Sequence, residues 1–474
     1  MNTTHRHIPA AFYRFWDIIA VVLIIIQLKS HILYEFISHQ PYLFVEIMRR
    51  ARRNFIKKAA IGSFLSVLGF DIMGKVGQEK HVLAFDKSGD NLWREVKKAF
   101  LLTEKRNYFN TAGLGPSPEV VIDRIYEKLR MAEEWSESYH GELKDIRDKI
   151  AQFFNTSAEE IAFTRNTTEG MNMIARSLPL KKGDEVLITT HEHVGGISPW
   201  LALQQELGMR IKTVELDLSG ARNLSMLKQA VTKRTKAVVL SHITCTTGMV
   251  LPVQEIVQFC RERAIYSCID GAQAAGMIKV DLSTINPDFY AMSGHKWLFG
   301  PKETGLLFVN RTILNELKPA YVGAYSVQSF DLKERQITYV DNASFFEYGT
   351  RNVPIVHGLD AAIDFINAIG MDKVEERSKQ LANYLKSELA KIPQVIILSP
   401  INPDYASAIV TFKVNGLDYN AVRDTLMQEY KCRLRAIYEN ELNAIRVSCA
   451  IYNTIAELDE LIDAVKQLSV NAED

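Results

Sequence analysis

The chain has 474 residues, 47% hydrophobic and 24% charged, with Lys+Arg and Asp+Glu balanced at 56 each, a globular composition long enough for a large core and two domains. Residues 1–78 carry ten Lys/Arg against four Asp/Glu, so the body is acidic, has no basic stripe and argues against nucleic acid as a partner. Five scattered cysteines, with no C-x-x-C pair, argue against a disulfide scaffold and read as reduced, mostly buried thiols.

In chain order, the first feature is the apolar run Ile18 to Leu28. Next come Arg49, Arg50, Arg52 and Arg53, then Asn-Phe-Ile-Lys-Lys, then a mildly apolar stretch from Ala59 to Phe70. That stretch is too short to span a bilayer as a helix. The order basic, apolar, polar is that of an export signal. Paired arginines before Phe-Ile-Lys resemble a twin-arginine signal, an address read by the export machinery. The expectation is a twin-arginine signal peptide over 48–78, translation from Met48, and a periplasmic protein engaging the twin-arginine export machinery. Residues 1–47 are then an upstream extension, or a membrane anchor if they are translated.

From Leu83 onward, helix and strand signals alternate. Helices are expected at Pro118–Met131, Glu142–Phe154, Glu169–Ser177 and Val253–Arg263. Short apolar strands are expected within Lys182–Thr189, at Lys236–Ser241 and at Ala264–Asp270. This alternation indicates a mostly parallel sheet covered on both faces. After about residue 346 the texture changes to long helices (Ile355–Ile369, Met371–Ala390) and shorter strands (Ala408–Lys413, Asn443–Cys449), closed by an amphipathic helix from Ala456. The expected organisation is a segment at 79–115 packing on the small domain, a large α/β domain at 116–345 and a smaller α+β domain at 346–474.

The chemistry gathers at strand ends. Asp270 ends a strand and is followed by Gly-Ala-Gln273-Ala-Ala-Gly, and Ser293-Gly-His295-Lys296 lies about two dozen residues on. A buried carboxylate needs a positive partner; a protonated pyridine nitrogen serves, and a lysine amine can form a Schiff base with the same ring's aldehyde. An Asp–Lys salt bridge is the plainer reading. Asn166-Thr167-Thr168-Glu169 reads as a phosphate site at a helix N-terminus or as a Ser/Thr N-cap. His191-Glu192-His193 offers an imidazole for stacking, half a metal site without a third ligand at metal-like spacing, or a solvated loop histidine.

Together with Tyr108-Phe-Asn110-Thr-Ala112-Gly, Phe346-Glu-Tyr-Gly349-Thr350 and Arg446-Val-Ser-Cys-Ala-Ile-Tyr-Asn-Thr454, these motifs resemble the class V aminotransferases. These are fold-type I pyridoxal-phosphate enzymes that include cysteine desulfurases and isopenicillin N epimerase-like proteins. The resemblance covers about residues 100–470, with six or seven motifs in order. It implies a large domain with a mostly parallel seven-stranded sheet and pyridoxal 5'-phosphate as cofactor. Lys296 would carry the cofactor and move protons, Asp270 would keep the ring nitrogen protonated, Gln273 would bond the phenolic oxygen and His193 would stack on the ring. Thr167, Thr168, Ser293 and His295 would hold the phosphate. Gly349 and Thr350 would reach the phosphate of a second subunit, implying a homodimer with shared sites. Arg446, with Arg435 second and Asn110 and Ala112 nearby, would bind the substrate carboxylate.

Two positions depart from the desulfurase pattern. The loop Ala436–Ile445, where desulfurases carry their nucleophilic cysteine, has none, and Cys245 stands where they commonly have asparagine. The expectation is therefore an exported enzyme, isopenicillin N epimerase-like, performing transamination, epimerisation or lyase chemistry on an amino acid or an amine-bearing secreted metabolite or peptide, with desulfurase activity disfavoured. The alternative is an inert ligand-binding or interaction protein on the same scaffold.

Overall fold

A computed structural model describes Phe85 and residues 89–470, which fall within one compact unit. The signal expected at 48–78 and the apolar run before it lie outside the described residues. In chain order, α1 (Asp90–Lys98) and β1 (Asn107–Tyr108) precede α2 (Glu119–Trp135) and α3 (Leu143–Phe153). Alternation then sets in with β2 (Ile161–Thr164), α4 (Thr167–Ser177), β3 (Glu185–Thr189), α5 (Val194–Leu207), β4 (Arg210–Val214) and α6 (Asn223–Ala230). It continues through β5 (Thr235–Ser241), α7 (Val253–Arg261), β6 (Tyr266–Asp270), α8 (Leu282–Ile285), β7 (Phe289–Ser293) and β8 (Gly305–Val309).

Strands β2 to β8 form one sheet in the order β2-β8-β7-β6-β5-β3-β4. Only β8 runs antiparallel to its neighbours; the others are parallel. Side chains alternate across β5 and β3. Ala237, Val239, Val186 and Ile188 enter one core cluster, while Val238, Leu240 and Leu187 enter the other. With both faces covered, the strands read as unbroken apolar runs, and that is why the sequence signalled a buried parallel sheet.

Past this sheet come a hairpin, β9 (Val327–Asp331) and β10 (Gln336–Tyr339), then α9 (Val353–Ile369), which packs on α2 and α3, and α10 (Met371–Leu389). The chain closes with β11 (Val395–Ile397), β12 (Ile409–Val414), α11 (Tyr419–Gln428), β13 (Cys432–Arg433), β14 (Arg435–Ile437), β15 (Ala444–Ser448) and α12 (Ile455–Val470). A second, antiparallel sheet has the order β11-β12-β15-β14, over a core that includes Leu381, Phe412, Val447 and Leu461. The N-terminal segment returns to it: β1 pairs with β13, Phe109 joins its core and Phe109 O accepts from Ser448 N at 2.9 Å.

Helix ends differ from expectation where a cap decides them. The helix expected from Glu169 begins at Thr167 because Asn166 caps it, its side chain accepting from Glu169 N at 2.9 Å. The helix expected to stop at Met131 runs to Trp135, where Ser136 turns left-handed at φ 54°.

Candidate active site

Parallel sheets place ligands beyond the carboxyl ends of their strands. The ends of β2, β3, β5, β6 and β7 surround one cavity of about 290 Å³, and β14 and β15 close it from the small sheet. Asp270 ends β6 and Gln273 follows it, while Ser293 ends β7 and His295 and Lys296 follow it. Thr167, Thr168, His193, Ala112, Arg435 and Arg446 complete the expected residues on its wall.

The lysine turn is pinned from outside. Gly115 N donates to His295 O at 2.8 Å, and a Cβ on Gly115 would sit 2.0 Å from Lys296 O. Only glycine allows that approach. Burial pushes the Lys296 amine down from its ordinary range, with the Asp270 charge opposing through space. Burial likewise pushes the Asp270 carboxyl up, against Lys296 and the Ala272 N–H that donates to Oδ1 at 2.8 Å. The amine is thereby shifted toward the neutral form that acts as nucleophile and base.

Two helix N-termini meet beside it. In α4 the capping is done by Asn166, which corrects the reading of Thr167 and Thr168 as caps and leaves their hydroxyls for other work. Thr167 Oγ1 lies 2.7 Å from Ser293 Oγ, and Thr167 N donates to the same oxygen at 3.3 Å. In α5 the cap is His193, whose Nδ1 accepts from Gly195 N at 3.0 Å. A Cβ on Gly195 would lie 2.3 Å from Thr168 Oγ1, so glycine lets the two helix ends touch. Burial, followed by the Lys296 charge, pushes His193 down to about 4. The ring is neutral above that pH and carries its proton on Nε2, because Nδ1 is an acceptor. His295 is pushed to about 4 for the same reasons, and its Nδ1 is buried without a partner.

The opposite wall is cationic. Arg446 and Arg435 face each other in the β14–β15 ladder. Arg435 is neutralised by Glu439 in the following loop. Arg446 is 1% exposed; its Nη1 donates to Cys245 O at 2.7 Å and its Nη2 to Asn110 Oδ1 at 3.3 Å. Neither acceptor is an acid, and Nε is buried with no partner. Burial, and next Arg435, push this guanidinium down to about 10. A buried cation without a paired anion is costly, so an anionic group entering the cavity would find a partner in Arg446.

Not every expected residue arrives here. Asn110 stands behind Arg446 instead of on the wall. Gly349 and Thr350 line a separate cavity of about 140 Å³ with Arg165 and Tyr348. His191 and His193 do not converge: His191 Nδ1 bonds Thr246 Oγ1 at 2.8 Å, and its Nε2 meets Asn440 at 3.1 Å. Sequence reasoning gave no role to Glu192, which is buried and accepts from Ser241 N at 3.0 Å and from the Thr189 and Ser241 hydroxyls. Burial pushes its carboxyl up to about 7. It also passed over Asn166, although Asn-x-x-Glu is a visible capping signature.

Comparison with known proteins adds the wider frame. Residues 107–461 match the family model described as Aminotransferase class-V. A cysteine desulfurase of Serratia proteamaculans is 31% identical over 381 residues, covering 76% of this chain and 93% of the relative. The apo cysteine desulfurase of Thermococcus onnurineus gives a TM-score of 0.72 at 25% identity, covering 80% of this chain and 98% of that one. A variant of the cystine C–S lyase C-DES, with glycine covalently linked to its PLP cofactor, gives 0.72 at 27% identity, covering 78% and 98%.

Proposed function

This chain belongs to the class V aminotransferase family, and from that premise we propose an exported pyridoxal-phosphate enzyme that acts on a small amine bearing a carboxylate. The observation that carries this is one cavity joining Lys296 and Asp270 to the acid-free guanidinium of Arg446. The residues fit the cofactor. The orphaned Nδ1 of His295 and the hydroxyls of Thr167, Thr168 and Ser293, at the start of α4, suit a phosphate. Asp270 is a buried carboxyl whose charged form burial disfavours, and a protonated ring nitrogen would be the positive partner that its carboxylate needs. When bound, pyridoxal phosphate supplies an aldehyde for amines and a ring that accepts carbanion charge.

In this reading the chain's residues divide the work. Lys296 anchors the cofactor and moves a proton at the substrate's α-carbon. Asp270 would hold a proton on the ring nitrogen, and neutral His193 would pack against the ring. Arg446 takes the substrate carboxylate in a two-pronged grip. Transamination, epimerisation and lyase chemistry all use these groups, and an epimerase-like or peptide-tailoring role belongs to this proposal. So does a homodimer: Gly349 has open space at its Cβ position, available to a second copy. Export rests on the order Arg52, Arg53, Asn54, Phe55, Ile56, Lys57 ahead of the apolar stretch from Ala59.

A second reading, release of sulfur from cysteine, is favoured by the names of the relatives. It needs a thiolate to receive the sulfur. All five cysteines are buried, and burial pushes Cys245, which lines the cavity, up to about 11. We therefore place it second. Purified protein given pyridoxal phosphate should turn yellow, and borohydride should fix the cofactor on the peptide containing Lys296. A protein that stays colourless would support an inert binding role. Sulfide release from cysteine, with persulfide on Cys245, would promote the second reading.

A further inference from the structure

Gln273 lines the cavity next to Asp270 and Lys296, and its amide is held at both ends. The Trp297 indole N–H donates to Oε1 at 2.8 Å, and Nε2 donates to Ala112 O at 2.9 Å. Both side chains are buried, Trp297 at 1% and Gln273 at 3% exposure. A glutamine amide presents a donor or an acceptor depending on a 180° flip. Here only one orientation is satisfied. The indole is a donor only and Ala112 O an acceptor only, so a flip would set two donors together and two acceptors together, both shielded from water. The indole is itself fixed, because Gly276, at φ +87°, lets the backbone of Trp297 pack where any Cβ would clash at 2.5 Å. Gln273 is therefore held in the orientation that leaves its second Nε2 hydrogen free to be donated. Cys245, on the same cavity, is a weak donor and no substitute.

We propose that Trp297 is a positioning residue whose indole N–H fixes Gln273 as a hydrogen-bond donor to the electron-rich oxygen of the cofactor ring. This rests on the pyridoxal-phosphate reading of the site. A donor on that oxygen stabilises its negative charge and favours loss of the proton held next to it. Removing the donor raises the pH at which that proton leaves.

The test follows the visible absorbance of the pyridoxal-phosphate-loaded protein as pH is varied. Trp297→Phe and Gln273→Leu should each raise the midpoint by about one pH unit. The double variant should match Gln273→Leu alone, because Trp297 acts only through the amide. An unmoved midpoint in Trp297→Phe, or an equal further rise on top of Gln273→Leu, would overturn the proposal. If Trp297→Phe does not fold, benzothienylalanine at position 297 keeps the ring outline and removes only the N–H; the same rise is expected, and its absence is equally decisive. A parent protein that takes up no pyridoxal phosphate would refute the underlying site reading, and this inference with it. A yellow parent with an unresponsive midpoint would refute the role of Trp297 alone.

Discussion

On the wall built from the large sheet, burial moves each ionisable side chain toward its neutral form, whereas the wall built from β14 and β15 keeps two guanidiniums face to face. Lys296 is pushed down, Asp270 up, and His193 and His295 to about 4. Across the cavity, Arg435 has its acid in Glu439, and Arg446 is left with neutral acceptors only. The difference separates two tasks. A lysine amine shifted toward its neutral form can take up a proton. A group that reads a carboxylate needs a permanent charge and a rigid fork.

The strongest way to break the proton-moving wall is Lys296→Ala. Turnover should fall by about 10⁴-fold with the fold unchanged by circular dichroism. Persistent turnover would remove Lys296 from the chemistry. Next is Arg446→Met on the opposite wall, which should raise KM for a carboxylate-bearing substrate about 100-fold and change kcat less. Because it also deletes a buried cation without an anion, the variant should unfold at higher denaturant, by about 1–3 kcal/mol. Loss of stability instead would mean that Arg446 serves the fold.

The smallest effect sharpens the comparison from behind the large-sheet wall, where Glu192 ties the ends of β3 and β5. Its folded-state value of about 7 lies above the ordinary 4.5, so its contribution to stability is complete below about pH 4.5 and is lost as pH rises through about 7. Glu192→Gln keeps an acceptor for Ser241 N and a donor for the Ser241 hydroxyl while abolishing the titration. It should exceed the parent's stability by about 3 kcal/mol at pH 8 and match it at pH 4. Denaturation curves that stay parallel at both pH values would show that Glu192 does not titrate in this window.

Much of the site was legible because its groups sit in short local motifs at strand ends. Asp270 closes an apolar run, Lys296 follows another within a glycine-bracketed turn, and Thr167 and Thr168 open a helix. The long helices and the buried sheet were legible for the same kind of reason: their period and their apolar runs follow from covering two faces at once. What was passed over joins residues distant in the chain. Glu192 meets Ser241 49 positions away, and Trp297 meets Gln273 24 positions away. The Trp297 indole, which no local motif singles out, is a donor to Gln273.

By itself, then, the sequence determined the alternating α/β architecture, the lysine–aspartate pair and the absence of a cysteine from the Ala436–Ile445 loop. Only the tertiary structure decided that Arg435 and Arg446 stand opposite each other with Glu439 paired to Arg435, and that the Gln273 amide is held between the Trp297 indole and Ala112 O. The reason is physical. Periodicity and strand-end chemistry are local properties of a chain, whereas strand register, amide orientation and the partner of a buried charge exist only once distant segments are packed against each other.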